Sequence, residues 1–232
     1  MKSNTMKTNK SLLNFVSSSF ALVVFASATA GAAVIATPQT GGNGTFTVSN
    51  TDTANASQGG SVSFSGTANF GSSAPRVIDG SVYNGGATNN TEHTLNPSVN
   101  STLTLNLAAS AGGWDISSIV VLTGVGGSQS GRSDHSYTIA LSTDGTNFGS
   151  PIINVNDTTT SSGEVKMTIN DNGSALLGTG VTAVRFVFGN ATGDAENMYR
   201  EIDVLGAASV PEPSSLLLLG LSGLGLLIRR RC

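Results

Sequence analysis

Few side chains in this 232-residue chain can act as a nucleophile or carry a proton at neutral pH. There are two histidines, His93 and His135, and one cysteine, Cys232. Asp134 directly precedes His135, but neighbours on a strand point to opposite faces, so the two do not form a relay. Neither G-x-S-x-G nor H-E-x-x-H occurs. Glycoside hydrolysis needs two converging carboxylates. The acids here are scattered and no pair stands out, which makes a secreted glycan hydrolase the weakest functional reading. The Gly124-Val125-Gly126-Gly127 cluster is not followed by a helical pattern, which argues against a phosphate cradle. A non-enzyme is expected.

The C-terminal segment, Val210 to Cys232, is more specific. Pro211, Glu212 and Pro213 interrupt regular structure. An uncharged run follows from Ser214 to Ile228, then Arg229, Arg230 and Arg231. The run is short for a permanent membrane span, roughly 22 Å as a helix against a core of about 30 Å. Gly220, Gly223 and Gly225 weaken it further. A permanent anchor and a temporary, cleavable one are the two readings, and length and glycines favour the second. The order of Pro-Glu-Pro, apolar run and arginines resembles the PEP-CTERM sorting signal of bacterial exported proteins. That resemblance implies an exosortase-type processing enzyme in the membrane that recognises the motif and cleaves at or near it. The arginines stay cytoplasmic by the positive-inside rule, so the chain before Pro211 faces outward.

The N-terminus agrees. Lys2, Lys7 and Lys10 precede an apolar stretch from Leu12 to Ala28, and Ala28-Thr29-Ala30 is an A-x-A cleavage site. Residues 1–32 therefore read as a signal peptide for the Sec export machinery, 33–206 as the exported domain, 207–210 as a linker and 211–232 as the sorting segment. Within 33–206 the charge balance shifts. Five basic residues (Arg76, Arg132, Lys166, Arg185, Arg200) face 13 acidic ones, a formal net charge of −8 against −3 for the whole chain. So acidic a domain is a poor nucleic-acid binder, and no nucleic-acid partner is expected. The domain has no cysteine, so it folds without disulfides.

The middle of the chain alternates rather than following a helical period. Candidate strands are Thr45 to Val48, Ser61 to Ser65, Leu103 to Leu107, Ile119 to Leu122, Tyr137 to Leu141, Ile152 to Val155, Val165 to Ile169, Val184 to Phe188, and Ile202 to Val204. About nine short strands between Gly-, Asn- and Asp-rich turns predict an all-β, antiparallel β-sandwich or jelly roll. It would be flanked by an N-terminal signal helix and a short C-terminal transmembrane helix. A β-solenoid is the alternative, but there is no fixed repeat. Trp114, just before Asp115-Ile116, is expected at the edge of the core.

Several passages carry a second resemblance: Val77-Ile78-Asp79-Gly80, Trp114 to Gly124, Ser136 to Phe148, Val181 to Asn190, and Tyr199 to Gly206. In this order they resemble the discoidin-like, galactose-binding jelly roll of the coagulation factor 5/8 C-domain type, over roughly residues 72–206. The resemblance implies a structural Ca²⁺ where the Asp-Gly turn meets the last strand. Asp79 and Glu201 would supply carboxylates, and the backbone near Arg76, Ser81 and Arg200 would supply carbonyls. It also implies a ligand site on loops at one end of the sandwich, with Arg132, Asp134, His135, His93 and Tyr199 as candidates for contacting a saccharide. The expected function is an exported cell-surface or extracellular-matrix protein that binds extracellular polysaccharide. It would be held transiently at the inner membrane by its C-terminal helix. A structural or adhesive surface protein without a specific ligand is the alternative.

Overall fold

The computed structural model describes residues 33–42, 44–82, 94–124, 132–158, 163–173, 175–190 and 197–210. The signal peptide with Ala28 and Ala30, the loop residue His93, and the sorting segment with Pro211, Glu212, Pro213 and Arg229 to Arg231 lie outside them. The expected signal and C-terminal helices fall outside as well. Among the described residues no helix is long and apolar enough to cross a membrane.

The described chain is a β-sandwich of two five-stranded sheets, with every strand pairing antiparallel. The strands are β1 (Val34–Gly41), β2 (Ser61–Ser65), β3 (Thr102–Asn106), β4 (Trp114–Thr123), β5 (His135–Ser142), β6 (Ile153–Asp157), β7 (Glu164–Asp171), β8 (Gly178–Val181), β9 (Ala183–Phe188) and β10 (Tyr199–Ala208). One sheet has the order β1-β7-β4-β10, with β8 paired to the first part of β4; the other has the order β2-β3-β9-β5-β6.

Alternation sets the faces. Leu103 and Leu105 of β3, Tyr137 and Ile139 of β5, and Val184, Phe186 and Phe188 of β9 enter from one sheet. Ile119 and Val121 of β4, Met167 and Ile169 of β7, and Ile202 and Val204 of β10 enter from the other. All are buried, and each large side chain contributes roughly 1.5–3 kcal/mol of transfer free energy. The aromatic rings cluster, with Tyr137 edge-on to Phe186 at 5.4 Å and Phe188 tilted against Tyr199 at 4.7 Å. Trp114 sits at the rim, half-buried against the core, and its indole N–H donates to the Ala108 carbonyl at 2.7 Å.

The structure departs from the sequence reading in three places. Residues 45–48 form no strand; the Phe46 amide instead donates to Glu164 Oε2 at 3.4 Å. Two strands appear that the pattern did not announce, β1 and β8. β1 carries Pro38 and lies at a sheet edge, where a missing N–H is tolerated. β8 is only four residues, Gly-Thr-Gly-Val, with little apolar signal. The third correction concerns residues 207–210. Ala207 and Ala208 are not linker but the end of β10, paired with Asp115 and Trp114. Ser209 is clasped too: its amide donates to the Gly113 carbonyl at 2.9 Å, and its hydroxyl donates to Asp115 Oδ1.

The registers define two poles. Gly41 pairs with Glu164, Val165 with Thr123, and Thr123 with Tyr199; Thr123 Oγ1 also meets His135 at the start of β5. Val34 pairs with Asp171 and Trp114 with Ala208 at the opposite pole. Both chain termini of the sandwich leave from this second pole.

Candidate functional site

Arg132, Asp134, His135 and Tyr199 all sit at the first pole, but they do not form a common surface. Asp134, His135 and Tyr199 are buried. His135 opens β5 instead of lying in a solvated loop. Its Nε2 is 2.9 Å from Thr123 Oγ1 and 3.2 Å from the Val165 carbonyl, and its Nδ1 is 3.2 Å from the Tyr137 hydroxyl. A carbonyl can only accept, so the Nε2 hydrogen is the one that serves Val165, and Nδ1 accepts from Tyr137. Burial holds the imidazole neutral, pushing its pKa down to about 4. Tyr199 is likewise turned inward: its hydroxyl donates to the Ser136 carbonyl at 3.3 Å, and burial raises its pKa. Those side chains hold the pole together and do not face a ligand.

Arg132 is different. It is half-buried, and its backbone is fixed by the Met198 amide donating to its carbonyl at 3.1 Å. Its guanidinium carbon stands 5.9 Å from the ring centroid of Phe70. Phe70 is 56 % exposed and adopts φ +54°, the left-handed region that a non-glycine residue enters at a cost. The segment carrying it is pinned on both sides. Asn69 donates its amide to the Asn96 carbonyl at 2.8 Å, and Ser98 donates to the Thr67 carbonyl at 2.9 Å. An exposed ring next to a guanidinium can offer an apolar face and hydrogen-bond donors to one ligand. The sequence Asn69-Phe70-Gly71 carries no motif, and the reading of residues did not single it out.

Arg200 was expected to contribute only its backbone to a cation. Its side chain is buried in an ion pair with Glu164, which also accepts from the Gly44 amide at 2.9 Å.

The meeting of the Asp-Gly turn with the last strand is present. Gly80 adopts φ +71°, and its amide donates to Glu201 Oε1 at 3.0 Å. The carboxylate set implied by resemblance fits poorly, however. Asp79 lies in an exposed turn, its Oδ1 accepting from the Ser81 amide at 2.9 Å and its Oδ2 3.6 Å from Arg76. Glu201 is instead grouped with two acids that the sequence reading missed, Asp52 and Asp203. One oxygen from each of the three lies within 4.8 Å of the others. All three are buried. Burial pushes the Glu201 carboxyl up to about 9 and that of Asp203 up to about 7, and raises Asp52 as well. Glu201 and Asp203 are two apart on one strand and so share a face, a signal the sequence did contain. Asp52 arrives from a loop along the β10 edge, where Thr53 donates to the Val204 carbonyl at 2.9 Å, and nothing local marks it.

No curated protein matches the chain in sequence. Among solved structures the sandwich is similar to CpGH89CBM32-5 from Clostridium perfringens, in complex with GalNAc-β-1,3-galactose, at 21 % identity. The match covers 64 % of this chain and 96 % of that one, with a TM-score of 0.45. It is similar to CBM32-1 from a family 31 glycoside hydrolase of the same organism, at 15 % identity, 62 % and 92 % coverage, and TM-score 0.45. It is also similar to the C-terminal domain of a chitobiase from Bacteroides fragilis, at 17 % identity, 65 % and 95 % coverage, and TM-score 0.46. The C-terminal segment gives a match of another kind: residues 209–231 fit the PEP-CTERM protein-sorting motif, and the chain carries that motif at its C-terminal end.

Proposed function

We propose that this chain is an exported bacterial surface or matrix protein, a non-enzyme whose sandwich binds extracellular polysaccharide through the Phe70–Arg132 corner. The sorting motif at 209–231 supports export and handling by an exosortase-type enzyme. The observation that carries the ligand reading is Phe70, an exposed aromatic held in a left-handed backbone beside Arg132. Strain at an exposed apolar side chain is a cost to folding, and a contact with a ligand is what such a side chain offers in return. The ring would stack on the apolar face of a sugar, while the guanidinium would donate to neighbouring hydroxyls. The buried, neutral His135 and the inward Tyr199 take no part. Of the described residues implicated by resemblance, Arg132 is the one kept; His93 lies outside them.

A glycan array with the purified protein tests this. Binding to one saccharide class is expected, weakened at least tenfold by Phe70→Ala and by Arg132→Ala. A flat array leaves the adhesive or structural role without a specific ligand. Export is tested separately: a chain stopped after Val210 should appear in the medium, and retention on cells would overturn the account of the tail.

A further inference from the structure

The two sheets differ in what lies on their outer faces. Over the β1-β7-β4-β10 sheet the chain from Gly44 to Thr53 forms a cover. The Gly44 amide donates to Glu164, Lys166 Nζ stands 5.1 Å from the ring centroid of Phe46, and the Ser49 amide donates to Asp203. The outer face of the β2-β3-β9-β5-β6 sheet is polar and carries a single charge. Leu103, Ile139, Val184 and Phe186 point into the core, so the alternate positions point out. Those positions hold Ser, Thr, Asn, Ala and Val together with Arg185, and none is acidic. The register lines them up across the strands. Ser63, Thr104 and Arg185 form one row, and Thr102, Val187, Thr138 and Asn154 form the next.

Arg185 lies on β9, the middle strand of this sheet. Its guanidinium carbon is 4.3 Å from the ring centroid of Phe148, and its Nε is buried with no hydrogen bond. Stacking at that distance holds the guanidinium flat and leaves its terminal nitrogens as donors. Asp144, the acid of the turn that brings Phe148, is committed to Ser142, Thr146 and Asn147. Arg76 and Arg200 are ion-paired with Asp79 and Glu164, whereas Arg185 makes no ion pair among the described residues. The domain has 13 acidic residues for five basic ones. An arginine that none of those acids neutralises, on a face without acids, is complementary to an anion from outside.

We infer that this face is a second polysaccharide site, separate from the Phe70–Arg132 corner, and that it takes a chain whose carboxylates stand singly among neutral sugars. The Arg185 fork would pair with one carboxylate, and the hydroxyl and amide rows beside it would meet the neighbouring sugar hydroxyls. A polyuronate fits less well. One cation among neutral groups answers one charge, and the domain's formal net charge of −8 repels the rest.

Affinity electrophoresis of the full chain in neutral detergent, near physiological salt, tests the site. Glucuronoxylan and gellan, whose glucuronates stand singly, should bind at least tenfold more tightly than the same polymers with their carboxyls reduced to alcohols. Polygalacturonate should bind more weakly than either. Arg185→Gln should lose at least tenfold in affinity, and Phe70→Ala should stay within threefold of wild type. Four results overturn the site: binding to neither polymer, equal binding to the reduced polymers, tighter binding to polygalacturonate, or wild-type affinity in Arg185→Gln. Loss in Phe70→Ala places the uronate at the other corner and overturns it too. Should Arg185→Gln fail to fold, Arg185→Lys decides. It keeps the charge without the fork and should lose at least threefold, and wild-type affinity there overturns the site.

Discussion

The guanidinium of Arg200 and the carboxylate of Glu164 meet with their side chains 3 % and 0 % exposed. The contact ties the start of β10 to the start of β7 across β4. Removing one member leaves a buried charge without its partner, a loss of about 3–5 kcal/mol. Arg200→Met and Glu164→Gln should each lower the urea midpoint accordingly. The double variant should lose clearly less than the sum of the two. Additive losses would mean that the two charges do not depend on each other.

His135 gives the fold a dependence on pH. The group sits near 6.5 in an unfolded chain and at about 4 in the folded one, because burial outweighs the Val165 bond and the Asp157 charge that favour protonation. Between those values the unfolded chain binds the additional proton. The stabilisation from neutral His135 is therefore complete above about pH 6.5 and is lost as pH falls toward 4, by roughly 3 kcal/mol. Urea unfolding from pH 7 to pH 4 measures it. His135→Gln should flatten this part of the slope; parallel curves for the two proteins would sink the assignment.

The clasp at the end of β10 makes a third prediction. Asp115 Oδ1 accepts from the Gly180 amide at 3.2 Å and from the Ser209 hydroxyl. Asp115→Ala removes both, at about 1–2 kcal/mol. It should also open the chain to limited proteolysis between Gly206 and Val210. Unchanged cleavage there would show that the strand pairing with β4 alone holds the end down.

Strands β3, β5 and β9 were legible because each alternates large apolar groups with Thr, Ser or Arg on a half-covered surface. β4 was legible as a continuous run because it lies inside its sheet, between β7 and β10. β8 was not, since two glycines and a threonine in four residues leave no pattern. The site was read less well than the fold. Arg132-Ser133-Asp134-His135 is polar and follows a glycine-rich stretch, so it looks like a solvated loop. Its burial depends on Thr123, Tyr137 and Val165, partners that come from other strands. The same limit hid Asp52, which lies about 150 residues from Asp203 in sequence. Glu201 was found because a resemblance marked it. Asp203 was not, though it stands two residues away.

β10 begins at the pole of Arg132 and Phe70 and ends at the pole from which the tail departs. Tension applied between the first pole and the end of β10 runs along this strand. The β10–β4 hydrogen bonds lie across that load, so the ladder from Thr123 to Trp114 shares the force in shear. A pull between the two termini begins at a single pole instead, and would peel β1 and β10 away one pair at a time. The sandwich is thus mechanically anisotropic, stronger against a load along β10 than against a pull between its two ends.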